Sequence, residues 1–389
     1  MRVIKTTNEL KDFSAALRER PFFAVDTEFM REKTYWPILC LVQAAAPAGD
    51  NGEEPVEAII DPMADGIDLA PFLDALADKN VTKVLHAARQ DLEIFYRFMD
   101  EVPAPLFDTQ IAAMACGYGD QIGYEPLMRD LLNAKIDKGS RFTDWARRPL
   151  TDAQLSYALS DVTHLRDAYP VLLQRLDRHN RISWVREETA SLDDPDLYFV
   201  KPANAWKRIK FRGLRTAEIG PLMKLAEWRE REAQERDQPR GRILKDDALV
   251  ELARLRPKSP AELGKARSIS GGFERSRAGA AIVEAVREGM AIGKDDLPTV
   301  ADKNNRTPAP ADVVELLKVL LKAQCEHYGV APKMIASASD LEEIALRKDP
   351  DVRAMRGWRR EVFGELAMKL KSGDLALKLS GKRVEIVET

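Results

Sequence analysis

The stretch Phe22-Phe23-Ala24-Val25-Asp26-Thr27-Glu28-Phe29 is an apolar run with two acids set into it two residues apart. In a β-strand, positions i and i+2 point to the same face. Asp26 and Glu28 therefore project side by side from a strand whose other residues favour burial. Two carboxylates that close resist ionising together. A divalent cation between them removes the conflict, and oxygen ligands of this kind suit Mg²⁺ or Mn²⁺. The plainer reading is an edge strand with two solvated acids, so further acids are needed to decide between the two.

Around this stretch the first 190 or so residues alternate strand-like and helix-like segments. Apolar runs at 35–46 and 56–60 follow it after short polar breaks, as in a meander. The run Lys83-Val84-Leu85-His86-Ala87 predicts a strand leading into a helix over 90–99, on which Leu92, Phe95, Tyr96 and Met99 fall at helical spacing. Leu106-Phe107 is a further short strand, with Asp108 placed to cap the helix after it. From about residue 125 the pattern is helical. Strands with intervening helices predict an α/β sheet with an antiparallel part near the start.

At 389 residues the chain is long enough for two or three domains. A net charge of −3 gives no global attraction to nucleic acid, so polyanion binding must come from local patches or from metal. No apolar run reaches membrane-spanning length, and the N-terminus lacks a signal-peptide core; a cytoplasmic protein with no membrane contact is expected. Cys40, Cys116 and Cys325 have no zinc spacing and read as thiols in a reducing compartment.

Residues 192–202 read as a linker. Beyond it, Ala205-Trp206-Lys207-Arg208-Ile209-Lys210-Phe211-Arg212-Gly213-Leu214-Arg215 is basic, lacks acids and is interleaved with aromatics. Lys207, Arg208, Lys210 and Arg212 are candidate phosphate contacts, and Trp206 a candidate for stacking on a base. The competing reading is a joining helix whose aromatics pack and whose charges are solvated. Two helical units follow, separated by a polar linker at 295–310. They read as repeats: Arg242-Ile243-Leu244 with Leu249–Ala253 parallels Met334-Ile335-Ala336 with Leu341–Ala345.

Two more acids stand where a metal site needs them. Asp91 opens a helix just after a strand end, the usual place for a site in α/β folds, although a helix cap occupies the same position. Tyr157 and Asp161 are four apart, one turn on a single helical face.

Taken together, Asp26-Thr27-Glu28, Asp91 within His86-Ala87-Ala88-Arg89-Gln90-Asp91-Leu92-Glu93, and Tyr157 to Asp161 resemble the three motifs of the ribonuclease D family of 3′–5′ exonucleases, the group with four acids and a tyrosine. The stretch from Asp144 to Thr151 is also similar to that family, and the two helical units resemble its HRDC modules, the second being more diverged. The resemblance implies an α/β ribonuclease H-like catalytic domain, a mixed sheet flanked by helices, followed by two all-α HRDC-like helical domains. The expected boundaries are 1–190, 205–292 and 308–383.

The resemblance also implies catalytic residues Asp26, Glu28, Asp91, Tyr157 and Asp161, with the four acids holding two divalent cations, Mg²⁺ or Mn²⁺. Asp26 would bridge both ions, Glu28 and Asp161 hold one, and Asp91 support the other through water. Tyr157 would orient the attacking water or take its proton. Phe29 and His86 are candidate substrate contacts. The implied activity is trimming of RNA from the 3′ end to release 5′-mononucleotides. Precursors of transfer RNA with 3′ extensions are the expected substrates, and the enzyme is expected to be a monomer. Two alternatives stay open: a DNA-directed exonuclease of the same group, and a nucleic-acid-binding protein with an inactive catalytic fold. On the expected division of labour, a chain ending near Asp194 cleaves short RNA by itself and the helical units grip longer RNA.

Overall fold

The structure is a computed structural model that describes residues 1–136, 139, 143–269, 272–298 and 308–389. Most of the expected second linker lies outside the described residues.

Among the described residues the larger sheet has six strands, in the order β1-β4-β3-β2-β5-β6. They are β1 (Val3–Ile4), β2 (Phe22–Met30), β3 (Ile38–Ala46), β4 (Val56–Ile60), β5 (Thr82–Leu85) and β6 (Leu106–Asp108). β1 runs parallel to β4, β3 antiparallel to β4, and β2, β5 and β6 parallel to one another, so the sheet is mixed as expected. Helices α1 (Thr7–Arg18), α2 (Ala70–Ala77) and α3 (Arg89–Met99) accompany one set of alternate β2 side chains. Phe23 stands 6.2 Å from Phe72 of α2, which stands 6.4 Å from Phe95 of α3. The other set, Phe22 and Ala24, joins a core with α4 (Thr109–Ala115), α5 (Tyr124–Leu132), α6 (Asp152–Arg178) and α7 (Ile182–Thr189). The Phe22 ring lies 4.4 Å from that of Tyr169 on α6. Asp26 and Glu28 continue the Phe22–Ala24 face, and this alternation turns both acids toward α6.

The chain divides into two compact units. One comprises Met1–Glu28, Cys40–Asp194 and Thr307–Thr389; the other comprises Phe29–Leu39 and Pro195–Arg306. The second unit holds α8 (Thr216–Glu235), α9 (Arg240–Ile243), α10 (Asp246–Leu255), α11 (Pro260–Leu263) and α12 (Arg277–Met290), packed around Leu222, Leu225, Leu249, Leu252 and Ile282. The residues between β2 and β3 belong to it. The Asp237 carboxylate accepts from the backbone N–H groups of Tyr35 and Trp36 at 3.0 and 2.9 Å, and Tyr35 hydroxyl bonds Glu230 and Arg240. Trp36 stacks on Phe199.

The C-terminal helices are α13 (Ala311–Tyr328), α14 (Pro332–Ile335), α15 (Ala338–Leu346), α16 (Gly357–Arg359), which runs on into a π-turn at Arg360–Gly364, and α17 (Glu365–Ser372). A long helix, a short one and a medium one follow in the same order as α8, α9 and α10. Leu317, Leu320, Ile335 and Phe363 of this segment share one buried cluster with Val162 and Leu165 of α6. Trp358 stacks on Trp184 of α7 at 4.0 Å and 7°. Arg359, 1% exposed, donates to Glu187 and pairs with Glu188. Arg181 donates to Ala115 O at 2.8 Å and reaches Gly329 O and Tyr328 O. The C-terminal segment thus shares the buried core of the sheet domain, a packing that the expectation of a self-sufficient chain ending near Asp194 did not include.

The all-α description of the C-terminal domain also needs correction. The chain ends in an antiparallel hairpin of β7 (Leu375–Ser380) and β8 (Arg383–Glu388). Leu375, Leu377 and Leu379 alternate with other residues, as do Val384 and Ile386, a two-residue period that does not suit a helix. Gly381 with φ +60° stands first in the two-residue turn, where a type II′ turn places glycine.

Candidate active site

β2 presents the first two acids at its far end. One ligand oxygen from each of Asp26, Glu28 and Asp161 lies within 4.8 Å of the other two. Asp161 comes from α6, which starts with a capping box in which Thr151 bonds Gln154 N and Gln154 bonds back to Thr151 N. Helical spacing sets Tyr157 one turn before Asp161 on the same face. Its ring stacks on Trp145 at 6.2 Å and 27°.

Asp91 approaches from the α3 side of the sheet. The cap of α3 is Ala88, which makes no side-chain capping bond, so Asp91 is not the cap. Thr27, alternate to Asp26 and Glu28 on β2, points the opposite way and donates its hydroxyl to Asp91. One strand thus carries two acids toward α6 and, between them, a hydroxyl that fixes the fourth acid. Asp91 is buried and lies outside the group of three. Asp108 caps α4 as expected through Gln110 N and Ile111 N, and also accepts from Ala87 N and Ala88 N at the start of α3.

The electrostatics of this arrangement are adverse for carboxylates alone. Burial first, then the Asp161 charge, pushes Asp26 up to about 8. Burial, Asp26, Asp161 and Asp91 push Glu28 up to about 9. Asp91 is raised as well, by burial and then Asp26. Asp26 and Glu28 keep part of their surface open to solvent, so a cation can reach them. A close set of oxygen donors that resists carrying its own negative charge fits a divalent cation.

Other residues flagged by the sequence fall in different places. His86 is half-buried; its Nδ1 meets Thr109 Oγ1 at 3.0 Å, and its ring packs edge-on to Tyr124. Phe29 follows Glu28 on β2 and opens the short segment that belongs to the second unit. In that unit Lys207, Arg208, Lys210 and Arg212 are exposed, while Trp206 and Phe211 pack partly buried against the helical core. Asp26, Glu28 and Asp161 thus come together in one place, and the basic stretch belongs to the second unit.

Three supports of the site carry no signal of their own in the sequence. Thr27 was hidden inside the motif as an unspecified middle residue. Arg148 grips Asp61 with two hydrogen bonds of 2.9 and 2.7 Å and Cys40 O at 2.8 Å, and its Nη1 bonds Trp145 O at 2.7 Å, so it anchors the tryptophan that stacks on Tyr157. Tyr124 donates its hydroxyl to the backbone carbonyls of Asp161 and Ser160 at 2.7 and 3.1 Å. Burial and the nearby Asp161, Asp26 and Tyr157 hold its phenol well above the ordinary tyrosine range. An isolated Tyr beside Gly123 carries no motif that would have flagged it.

Comparison with known proteins bears on the same residues. Residues 1–177 match a family model described as 3′-5′ exonuclease, and residues 222–286 match one described as HRDC domain. Over 388 residues the chain is 49% identical to ribonuclease D of Jannaschia sp., covering 99% of both chains. It is 47% identical over 388 residues to ribonuclease D of Nitrobacter hamburgensis, covering 100% of both. Among solved structures, that of Escherichia coli RNase D, titled an exoribonuclease involved in structured RNA processing, superposes with a TM-score of 0.81 at 29% identity. It covers 96% of this chain and 98% of that one.

Proposed function

The chain belongs to the ribonuclease D family of 3′–5′ exoribonucleases, and on that premise we propose that Asp26, Glu28, Asp91 and Asp161 hold two divalent cations, Mg²⁺ or Mn²⁺, with Tyr157 as the proton-handling group. The observation that carries the reading is the convergence of Asp26, Glu28 and Asp161 to within 4.8 Å, one helical turn from Tyr157. When bound, a pair of divalent ions activates water and offsets charge on the leaving oxygen of an in-line phosphoryl displacement. The chain's own groups do the rest. Thr27 holds Asp91 in place through its hydroxyl. The Tyr157 hydroxyl orients the attacking water or, once deprotonated to the phenolate, accepts its proton, and Trp145 fixes the plane of the phenol.

The substrate on this reading is the single-stranded 3′ end of RNA, shortened one 5′-mononucleotide at a time, with transfer RNA precursors carrying 3′ extensions as the physiological case. Residues 1–190 form the exonuclease domain, 205–292 the first HRDC-like domain and 308–383 a second, diverged one. Lys207, Arg208, Lys210 and Arg212 supply salt-dependent phosphate contacts. Phe29 and His86 are the further candidates for substrate contact, and the enzyme acts as a cytoplasmic monomer. No described helix is long and apolar enough to cross a membrane.

The test is a 5′-labelled RNA with a single-stranded 3′ extension, incubated with Mg²⁺, Mn²⁺ or EDTA beside the DNA of the same sequence. The reading predicts metal-dependent shortening of the RNA by single nucleotides. Internal cuts, or a clear preference for the DNA, would contradict it.

A further inference from the structure

We propose that Tyr124 is a positioning residue for catalysis: its hydroxyl, by bonding the Asp161 and Ser160 carbonyls, sets where the turn of α6 bearing Tyr157 and Asp161 stands relative to β2. The inference rests on the exonuclease reading above.

Carbonyls in the middle of a helix have already accepted one hydrogen bond from the fourth residue on, and each retains a second lone pair. Tyr124 reaches these carbonyls from outside the helix with its single hydroxyl hydrogen, chiefly toward Asp161 O at 2.7 Å and shared with Ser160 O at 3.1 Å. Two other side-chain bonds of this turn are local to α6: Ser160 Oγ donates to Tyr157 O at 2.7 Å, and Thr163 Oγ1 to Ser160 O at 3.2 Å. They stiffen the turn but do not say where it stands. Tyr124 is itself located from the sheet. Its ring meets His86 edge-on at 5.8 Å and 71°. His86 Nδ1 lies 3.0 Å from Thr109 Oγ1, which donates to Leu85 O of β5 at 3.0 Å. A chain of contacts therefore runs from β5, the strand beside β2, to the backbone of a catalytic acid.

The consequence is geometric. Asp161 must stay close to two acids on a different element, and a displacement of about 1 Å can cost on the order of 100-fold in rate. Partners of metal-holding groups change affinity or activity by about 10–100-fold when removed.

The experiment is Tyr124→Phe in the full chain, which removes one oxygen and keeps the ring that packs on His86. Three readouts are taken: turnover on RNA, Mn²⁺ affinity of the RNA-free protein by calorimetry, and melting temperature. The expected result is a fall of about 10-fold in kcat and in Mn²⁺ affinity with KM for RNA nearly unchanged. Placed on Tyr157→Phe, the same change should cost much less in kcat, since both act through one turn. An active wild type whose Tyr124→Phe variant keeps its kcat and Mn²⁺ affinity, whatever its melting temperature, overturns the inference and reduces Tyr124 to a packing residue. An inactive wild type would instead count against the exonuclease reading.

Discussion

Trp358→Ala is the sharpest probe of how the C-terminal segment relates to the catalytic sheet. Trp358 is 7% exposed and stacks on Trp184 at 4.0 Å, and its neighbour Arg359 pairs with Glu187 and Glu188. Replacing a buried tryptophan by alanine costs about 3–5 kcal/mol, because the surroundings close only partly over the void. Domain stabilities lie at about 5–15 kcal/mol, so the loss is a large fraction of the total. At about 2–4 °C per kcal/mol for a body of this size, the melting temperature should fall by roughly 6–20 °C. The decisive point is which probe reports the fall. If sheet and C-terminal helices form one cooperative body, loss of exonuclease activity on heating and loss of helical circular dichroism from that body shift together. An activity midpoint that stays at its wild-type value, while a separate transition moves down, would refute the shared core.

Three further outcomes follow from the same geometry. Tyr157→Phe should slow single-turnover hydrolysis by about 10²–10⁴-fold, the range for a general acid–base group, with little change in RNA affinity. Without metal, the stability of the protein should fall as pH rises from about 4 to about 9. Asp26 moves from an ordinary 3.8 to about 8 on folding and Glu28 from 4.5 to about 9, so across that window the folded chain retains protons the unfolded chain has released. Chemical denaturation in EDTA across pH checks the sign, and saturating Mg²⁺ should flatten the decline. Finally, exchanging Lys207, Arg208, Lys210 and Arg212 for Gln should weaken RNA binding and lower the slope of log affinity against log salt by up to about 0.7 per lost single-strand phosphate contact. An unchanged slope in a filter-binding salt series would remove this stretch from the interface.

The acids were legible as an ordered set that resembles a family, each local pattern being weak by itself. Asp26 and Glu28 interrupt an apolar strand, and Tyr157 and Asp161 fall one turn apart on a long amphipathic helix; both patterns are local in sequence. Asp91 was legible as an acid at a strand-to-helix junction, but its partner Thr27 was not, because a threonine in a strand is ordinary. Tyr124 and Arg148 were invisible for a different reason. Each acts on a backbone carbonyl or an acid dozens of residues away, and local periodicity carries no information about such pairs. The same limit hid the packing of Trp358 on Trp184, which makes the C-terminal helices part of the catalytic body. The terminal hairpin was missed although its signal is local: the alternating leucines lie directly after a helix whose leucines have a similar density.

On the proposed reading, the carboxylate cluster on β2 and α6 binds the metals that support hydrolysis from the 3′ end. The most direct measurement compares wild type with Asp26→Asn, by Mn²⁺ calorimetry and by single-turnover digestion of 5′-labelled RNA in excess Mg²⁺. The account predicts a folded variant that binds Mn²⁺ weakly and leaves the RNA at full length, while the wild type shortens it stepwise from the 3′ end. A folded Asp26→Asn chain that binds Mn²⁺ and degrades RNA like the wild type would contradict it.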